Sequence, residues 1–341
     1  MNDYILFLIS AVFSGFCTWL ILKFLIPVLR SKKIGQKISE IGPRWHKSKE
    51  GTPIMGGLGF ILPAILLFAG FGVYSAISEN SFFGEGFLPG AVTFAMAVLC
   101  GCIGFFDDYT KLIKKQNEGF KPWQKLVLQL IVATEYIIVM RLYGYVDTAI
   151  ELPFCDTEIE LGFLYYVLCV LLIAGVDNAV NITDGVDGLC ASCTTIVALF
   201  FATAYFAGII SPVGESGSAL CLLSACVAGG CAGFLCWNFY PARIFMGDTG
   251  SLYLGGAVVG MSFLAGEPLI VLICGILYIL EILSVVLQVI YFKLTHGKRL
   301  FKMSPIHHHF ERCGWSEIKI VAVFSAVTVI GCVIAWFGLK L

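Results

Sequence analysis

Asp107 and Asp108 stand side by side, and Lys111 follows within one helical turn of either. A carboxylate pair of this kind binds a divalent cation or takes a proton, and the lysine beside it suits a phosphate. The same spacing also reads as an interfacial charge cluster with i, i+3 or i+4 salt bridges. A second polar segment runs Asn178-Ala-Val-Asn-Ile-Thr-Asp-Gly-Val-Asp-Gly188 between apolar runs. At membrane depth every uncovered amide or carboxylate costs free energy, so Asn181, Asp184 and Asp187 are site candidates.

Further along, Asn238 and Asp248 flank a proline-interrupted loop that carries Arg243, and Gly247 and Gly250 allow close backbone approach to a ligand. Asp248 alone could be the N-cap of the helix it precedes. Capping leaves Asn238, Arg243 and the two glycines without a role, which favours a site. His307, His308 and His309 follow the basic residues Lys298, Arg299 and Lys302. Three consecutive residues cannot all face one metal from a regular helix or strand, so imidazoles contacting phosphate or sugar oxygens are favoured over zinc. The stretch 44–57 passes from basic residues into a Gly/Pro-broken helix entry, a weak signal alone. Glu281 and Gln288 put polar groups in an apolar run that must face a cavity or kink.

The elements that position these groups are membrane helices. Of the 341 residues, 58% are hydrophobic and 13% are charged, against roughly 25% charged in soluble domains; the mean hydropathy is +0.89. Ten apolar stretches near the length of a span can be drawn, at 4–24, 54–75, 90–106, 124–143, 161–180, 189–210, 218–237, 251–265, 269–292 and 318–338. The expected fold is an all-α integral membrane protein of ten transmembrane helices, a single domain over 1–341.

Lysine and arginine near span ends stay in the cytoplasm. Nineteen of the 22 fall in 25–53 (Arg30, Lys32, Lys33, Lys37, Arg44, Lys47, Lys49), 107–125, 238–250 and 293–319, and none in the alternate connections 76–89, 144–160, 211–217 and 266–268. The first set is therefore expected in the cytoplasm, with both termini outside and the polar motifs at the cytoplasmic face. The basic side attracts anionic headgroups and phosphorylated substrates. Residues 144–160 suggest a small outside hairpin around Pro153. Basic charges follow the first apolar run, which suits an uncleaved anchor. Most of the 14 cysteines lie within spans, as packing residues do.

Taken in order, GTPIMGG at 51–57, DDYTK at 107–111, NAVNITDGVDGL at 178–189, FMGDTGSLYLGG at 245–256 and PIHHHFE at 305–311 resemble the polyprenyl-phosphate N-acetylhexosamine-1-phosphate transferase superfamily. The triple-histidine segment is similar to that of its phospho-N-acetylmuramoyl-pentapeptide transferase (translocase I) family, and no motif residue is missing. The resemblance implies transfer of phospho-N-acetylmuramoyl-pentapeptide from UDP-MurNAc-pentapeptide to undecaprenyl phosphate, giving lipid I and UMP in peptidoglycan synthesis. It implies a multi-pass protein of the bacterial inner membrane among membrane lipids, with Mg2+ on Asp248. Acceptor and phosphate activation then fall to Asp107 and Asp108, and pyrophosphate contacts to Lys111 and Lys125. A uridine pocket falls to Lys49, Asn181, Asp184, Gly185, Asp187, Phe245 and Gln288, with supporting or catalytic roles for Asn178, Asn238 and His307, and substrate contacts for His308 and His309. A homodimer is one expected assembly; no nucleic acid is expected as a partner.

Two other readings remain open at this stage. A sibling transferase of another glycan pathway would move a different N-acetylhexosamine-1-phosphate. A transporter would use polar groups in broken spans as a path, but near the midplane, whereas these cluster at one face.

Overall fold

The computed structural model describes residues 2–31, 49–78, 86–114, 119–155 and 157–339. Lys32, Lys33, Lys37, Arg44, Lys47 and Lys115, and so part of the stretch 44–57, lie outside the described residues. Every one of the ten apolar runs is helical. They form α1 (Asp3–Ser31), α2 (Leu58–Ser78), α3 (Leu88–Lys114), α4 (Pro122–Leu142), α5 (Phe163–Thr183), α6 (Leu189–Phe206), α7 (Gly217–Asn238), α8 (Gly247–Leu264), the pair α9 (Val271–Cys274) and α10 (Ile276–Leu294), and α12 (Glu317–Gly338). A short α11 (Ile306–Arg312) carries the three histidines.

Eight of the described helices are long and apolar enough to cross a membrane. The other two are α4, which carries Lys125, Glu135 and Arg141, and α8, an 18-residue helix that opens on Gly-Asp-Thr-Gly-Ser. The run drawn at 269–292 is interrupted at Gly275, between α9 and α10. The chain is a multi-pass membrane protein.

The expected hairpin is present as β1 (Ala149–Glu151) paired antiparallel with β2 (Glu158–Glu160), with Ile150 opposite Ile159. It is the one sheet among the described residues of an otherwise helical fold. Its turn reaches α12, where the Phe154 N–H donates to the Gly338 carbonyl at 3.1 Å.

A helix that is apolar all round belongs in a core, and α7 and α8 bear this out. Every residue of α8 from Thr249 to Leu264 is buried. Lipid tails are as apolar as leucine, so close packing through small residues holds such helices together. Gly229 and Gly233 of α7 lie against Ala11 and Gly15 of α1, and Gly256 and Gly260 of α8 lie against Ala97 and Thr93 of α3. The outer helices show lipid-type surfaces instead: α10 exposes Leu283, Val286, Leu287 and Ile290, and buries a stripe of Leu277, Tyr278, Glu281, Ser284 and Gln288.

The bundle has two polar ends. At one, the Asp3 carboxylate accepts the hydroxyls of Tyr205 and Ser218, each at 2.6 Å, and the hairpin meets the end of α12. The other end gathers the motif residues.

Candidate active site

The α3 helix runs on past its apolar stretch to Lys114, so Asp107, Asp108 and Lys111 occupy its last turns. Opposite stands the start of α8. Gly247 has a φ of +71° with the Asp108 carboxylate against its Cα, a conformation and a clearance that glycine alone provides cheaply. The N-cap position of α8 is Met246, and Asp248 makes no capping bond. Its carboxylate instead receives Lys111 at 2.8 Å and Lys125 at 3.0 Å on Oδ2, and the Asn181 amide at 2.9 Å on Oδ1. The capping role considered for Asp248 is thus replaced by a charged one.

Lys111 also lies 2.6 Å from Asp107 and 3.6 Å from Asp108, so the local salt bridges exist but belong to a wider cluster. Lys125 reaches it because Pro122 opens α4 at N1, where a missing N–H costs nothing, and Lys125 sits on the next turn. Asp107 Oδ1 accepts the Phe120 N–H at 2.6 Å. Asp108 Oδ2 accepts the N–H and hydroxyl of Thr249 at 3.0 and 2.8 Å. Asn181 additionally donates to the Ser251 hydroxyl at 2.7 Å. The side chains of Asp107 and Asp108 are 2% and 3% exposed, that of Asp248 is 19% exposed, so Asp248 is the carboxylate a ligand meets first.

Oxygens of Asp107, Asp108 and Asp248 lie within 4.8 Å of one another. Three carboxylates against two lysines leave a surplus negative charge, and hard oxygen donors in this number fit a divalent cation such as Mg2+.

A second group lies beside the first. Lys49 bridges Asp187 at 2.6 Å and Glu317 at 2.7 Å, and Glu317 also accepts the Asp187 N–H at 3.1 Å. Ser316 caps α12 by accepting the Lys319 N–H, which sets Glu317 in its first turn. Burial pulls the Lys49 ammonium down, but the two carboxylates prevail and its pKa is raised. The Asp184 carboxylate accepts no hydrogen bond among the described residues. Desolvation, although part of its surface is open, and then the charges of Asp248, Asp187 and Asp108 push its pKa up to about 8.

Other candidates brace this site. Asn238 accepts the Gly188 N–H and donates to the Ile244 carbonyl, tying the 178–188 segment to the loop before α8. Phe245 pairs its backbone with Pro53 and Gly56. Asn178 donates to Gln129 at 2.8 Å. Gln288 accepts the Phe301 N–H at 2.8 Å, which docks the histidine loop on α10. The histidines splay on α11: His307 meets Glu281 at 3.0 Å and backs onto Gly185, His308 meets Glu311 at 2.5 Å, and His309 accepts the Lys302 N–H at 3.1 Å.

Several participants escaped the sequence reading. Thr249, Ser251 and Glu317 carry no pattern of their own beyond a helix start. Gln129 and Asp177, bonded at 2.7 Å and buried, did carry a signal, being polar groups inside apolar runs.

A helical membrane protein with clustered carboxylates and lysines at one end of its bundle is the class that fold and site define. The family model for Glycosyl transferase family 4 matches residues 91–266. A Clostridium perfringens protein is 45% identical over 92% of this chain and 91% of its own length. One from Clostridium botulinum is 42% identical over 97% and 96%, and one from Acetivibrio thermocellus 44% identical over 93% and 90%. Each is called phospho-N-acetylmuramoyl-pentapeptide-transferase. The chain belongs to that family of phospho-sugar transferases.

Proposed function

We propose that this protein transfers phospho-N-acetylmuramoyl-pentapeptide from UDP-MurNAc-pentapeptide to undecaprenyl phosphate, giving lipid I and UMP. The observation that carries the reading is the Asp107–Lys111–Asp248–Lys125 cluster at one end of the bundle. An oxygen of the lipid phosphate attacks the sugar-bearing phosphorus, and the bond from that phosphorus to UMP breaks. Charge builds on the equatorial and leaving oxygens, and Lys111 and Lys125 are the groups that neutralise it.

Asp248, with Asp107 and Asp108, would hold Mg2+, whose charge would add to the neutralisation that the lysines provide. Asp107 and Asp108 orient and deprotonate the acceptor. Lys49, Asn181, Asp184, Gly185, Asp187, Phe245 and Gln288 form the uridine side, where the amides, carboxylates and backbone offer hydrogen bonds. His307, His308 and His309 contact substrate from α11, and Asn178 and Asn238 hold the site's segments.

The ten helical runs are ten spans of the bacterial cytoplasmic membrane, and the site faces the cytoplasm. The basic residues at the site end support that orientation. An acceptor anchored in the bilayer requires a site at the span ends, within reach of lipid and water. The clustering at one end speaks against a transport path at midplane.

The test is purified protein with UDP-MurNAc-pentapeptide, undecaprenyl phosphate and Mg2+. Formation of lipid I and UMP in equal amounts is expected. No lipid product with this donor, but product with another UDP-N-acetylhexosamine, would move the assignment to a sibling transferase.

A further inference from the structure

Glu281 is fully buried on the inward stripe of α10, and His307 of α11 is 1% exposed. His307 Nδ1 lies 3.0 Å from Glu281 Oε2. Which nitrogen carries the proton depends on the tautomer, and in the one where Nδ1 donates to the carboxylate the ring has no second N–H to give. The other ring nitrogen is then left over. Nε2 of His307 is buried and has no hydrogen-bond partner among the described residues. It faces the backbone of Gly185, so close that a Cβ there would overlap it. Buried polar atoms are nearly always paired, and one left bare against the Asp184–Gly185 turn marks a place for a ligand atom.

We propose that Glu281 is a positioning residue: it holds His307 in the Nδ1–H tautomer and aims the bare Nε2 at the Asp184–Gly185 turn, where it accepts a hydrogen bond from a substrate hydroxyl. The proposal rests on the transferase reading for its substrate. A carboxylate on one imidazole nitrogen fixes both tautomer and ring orientation, which decides what the second nitrogen can do. The phosphates of a nucleoside diphosphate are ionised at neutral pH and offer no O–H. A hydroxyl of the ribose or of the amino sugar does. Gly185 fits the same picture, because any side chain at that turn would occupy the space in front of Nε2.

The test uses full-length protein carrying 15N-labelled histidine, with the His307 resonances assigned by their loss in His307→Asn. The expected spectrum has Nδ1 protonated and Nε2 bare, and Nε2 shifts when substrate is added. A shift with UMP alone puts the donor on the nucleoside, and a shift only with UDP-MurNAc-pentapeptide puts it on the sugar. No shift with either overturns the proposal, as does an Nε2–H tautomer in the free protein.

Glu281→Leu is expected to mix the tautomers and to lower kcat/KM for the UDP-sugar on the order of 10–100-fold, the usual effect of losing a group that orients a histidine. Glu281→Gln keeps an acceptor at the same point and should retain the tautomer and most of the rate. Should Glu281→Leu fail to fold, the wild-type spectrum and Glu281→Gln decide alone; a wild-type rate in folded Glu281→Leu rejects the positioning role. These spectra need no turnover. If the wild-type protein forms no lipid product, the transferase reading falls while the tautomer result stands.

Discussion

Gly104 of α3 lies against the backbone carbonyl of Asp248 so closely that a Cβ on Gly104 would overlap it. This contact fixes how near the α3 carboxylates stand to the α8 carboxylate, and their common reach to Lys111 depends on it. Cores resist even one added methyl group, and backbone cannot move aside as a flexible side chain can. Gly104→Ala should therefore push α3 and α8 apart at the site. A loss of roughly tenfold to a hundredfold in kcat is expected from such a displacement, with the protein still folded by thermal denaturation. Wild-type turnover in Gly104→Ala would show that the spacing is not critical.

Asp248→Asn keeps the shape of the side chain and removes its charge. Lys111 and Lys125 lose their shared partner, and the three-carboxylate set loses its most open member. Turnover is expected to fall by roughly a thousandfold, the scale of losing several kcal/mol of charge stabilisation. Wild-type protein stripped with EDTA should stop and recover on adding Mg2+, whereas Asp248→Asn should show little recovery at any Mg2+ concentration. Full activity of the wild type in EDTA would remove the metal from the scheme.

The bundle itself was plain in the sequence, because ten runs of apolar residues leave a chain few options in a bilayer and each run became helix. The hairpin at 149–160 was legible from its alternation. The break at Gly275 was not located, since a glycine inside an apolar run looks like any other packing glycine. The residues that gather at the candidate site stood out where polar groups had no other reason to be, as at Asp184, Asp187 and Asp248. Partnerships were beyond reach: Lys49 with Glu317 joins positions 268 residues apart, and only the packing of α12 beside the 178–188 segment brings them together. Glu281 was noticed as an oddity, yet its partner His307 depends on how α11 folds back onto α10.

The two lysines differ in their company. Lys111 contacts Asp107, Asp108 and Asp248, while Lys125 contacts Asp248 at 3.0 Å and stands 3.9 Å from Asp107. Removing a hydrogen bond to a charged group costs about 1.5–3 kcal/mol. Lys125→Gln should lower kcat/KM by roughly 10–100-fold, and Lys111→Gln by more, because it also releases three clustered carboxylates to repel one another. Equal effects would argue that the lysines act on substrate alone and not on the carboxylate cluster.

At the opposite end of the bundle the Glu267 carboxyl is pushed up to about 7, by burial first and then by the negative charge of Glu151. A carboxyl whose folded pKa is raised binds its proton more tightly in the native state. The stability it contributes is therefore complete below its unfolded pKa of about 4.3 and is lost as pH rises through 7. Glu267→Gln should flatten that part of the pH profile. At pH 8 it should raise Tm by roughly 1–3 °C, and at pH 4 it should change little. A variant that loses stability equally at both pH values would refute the raised pKa of Glu267.

Asp107 is held at both oxygens, Oδ1 by the Phe120 N–H and Oδ2 by Lys111, each at 2.6 Å. A phosphoryl group bonded to either oxygen would crowd out the Phe120 N–H or Lys111. A proton fits on the lone pair that each oxygen keeps. The lipid phosphate brings its own oxygen nucleophile once its second proton, with a pKa of around 6, has gone. Asp107 is therefore expected to take that proton and never to carry phosphorus. Incubating the enzyme with UDP-MurNAc-pentapeptide labelled at the β-phosphate, in the absence of lipid, separates the two routes. Double displacement requires one UMP released per enzyme and label retained on protein. Direct attack requires neither until undecaprenyl phosphate is added, and label recovered on Asp107 would overturn the assignment of a base.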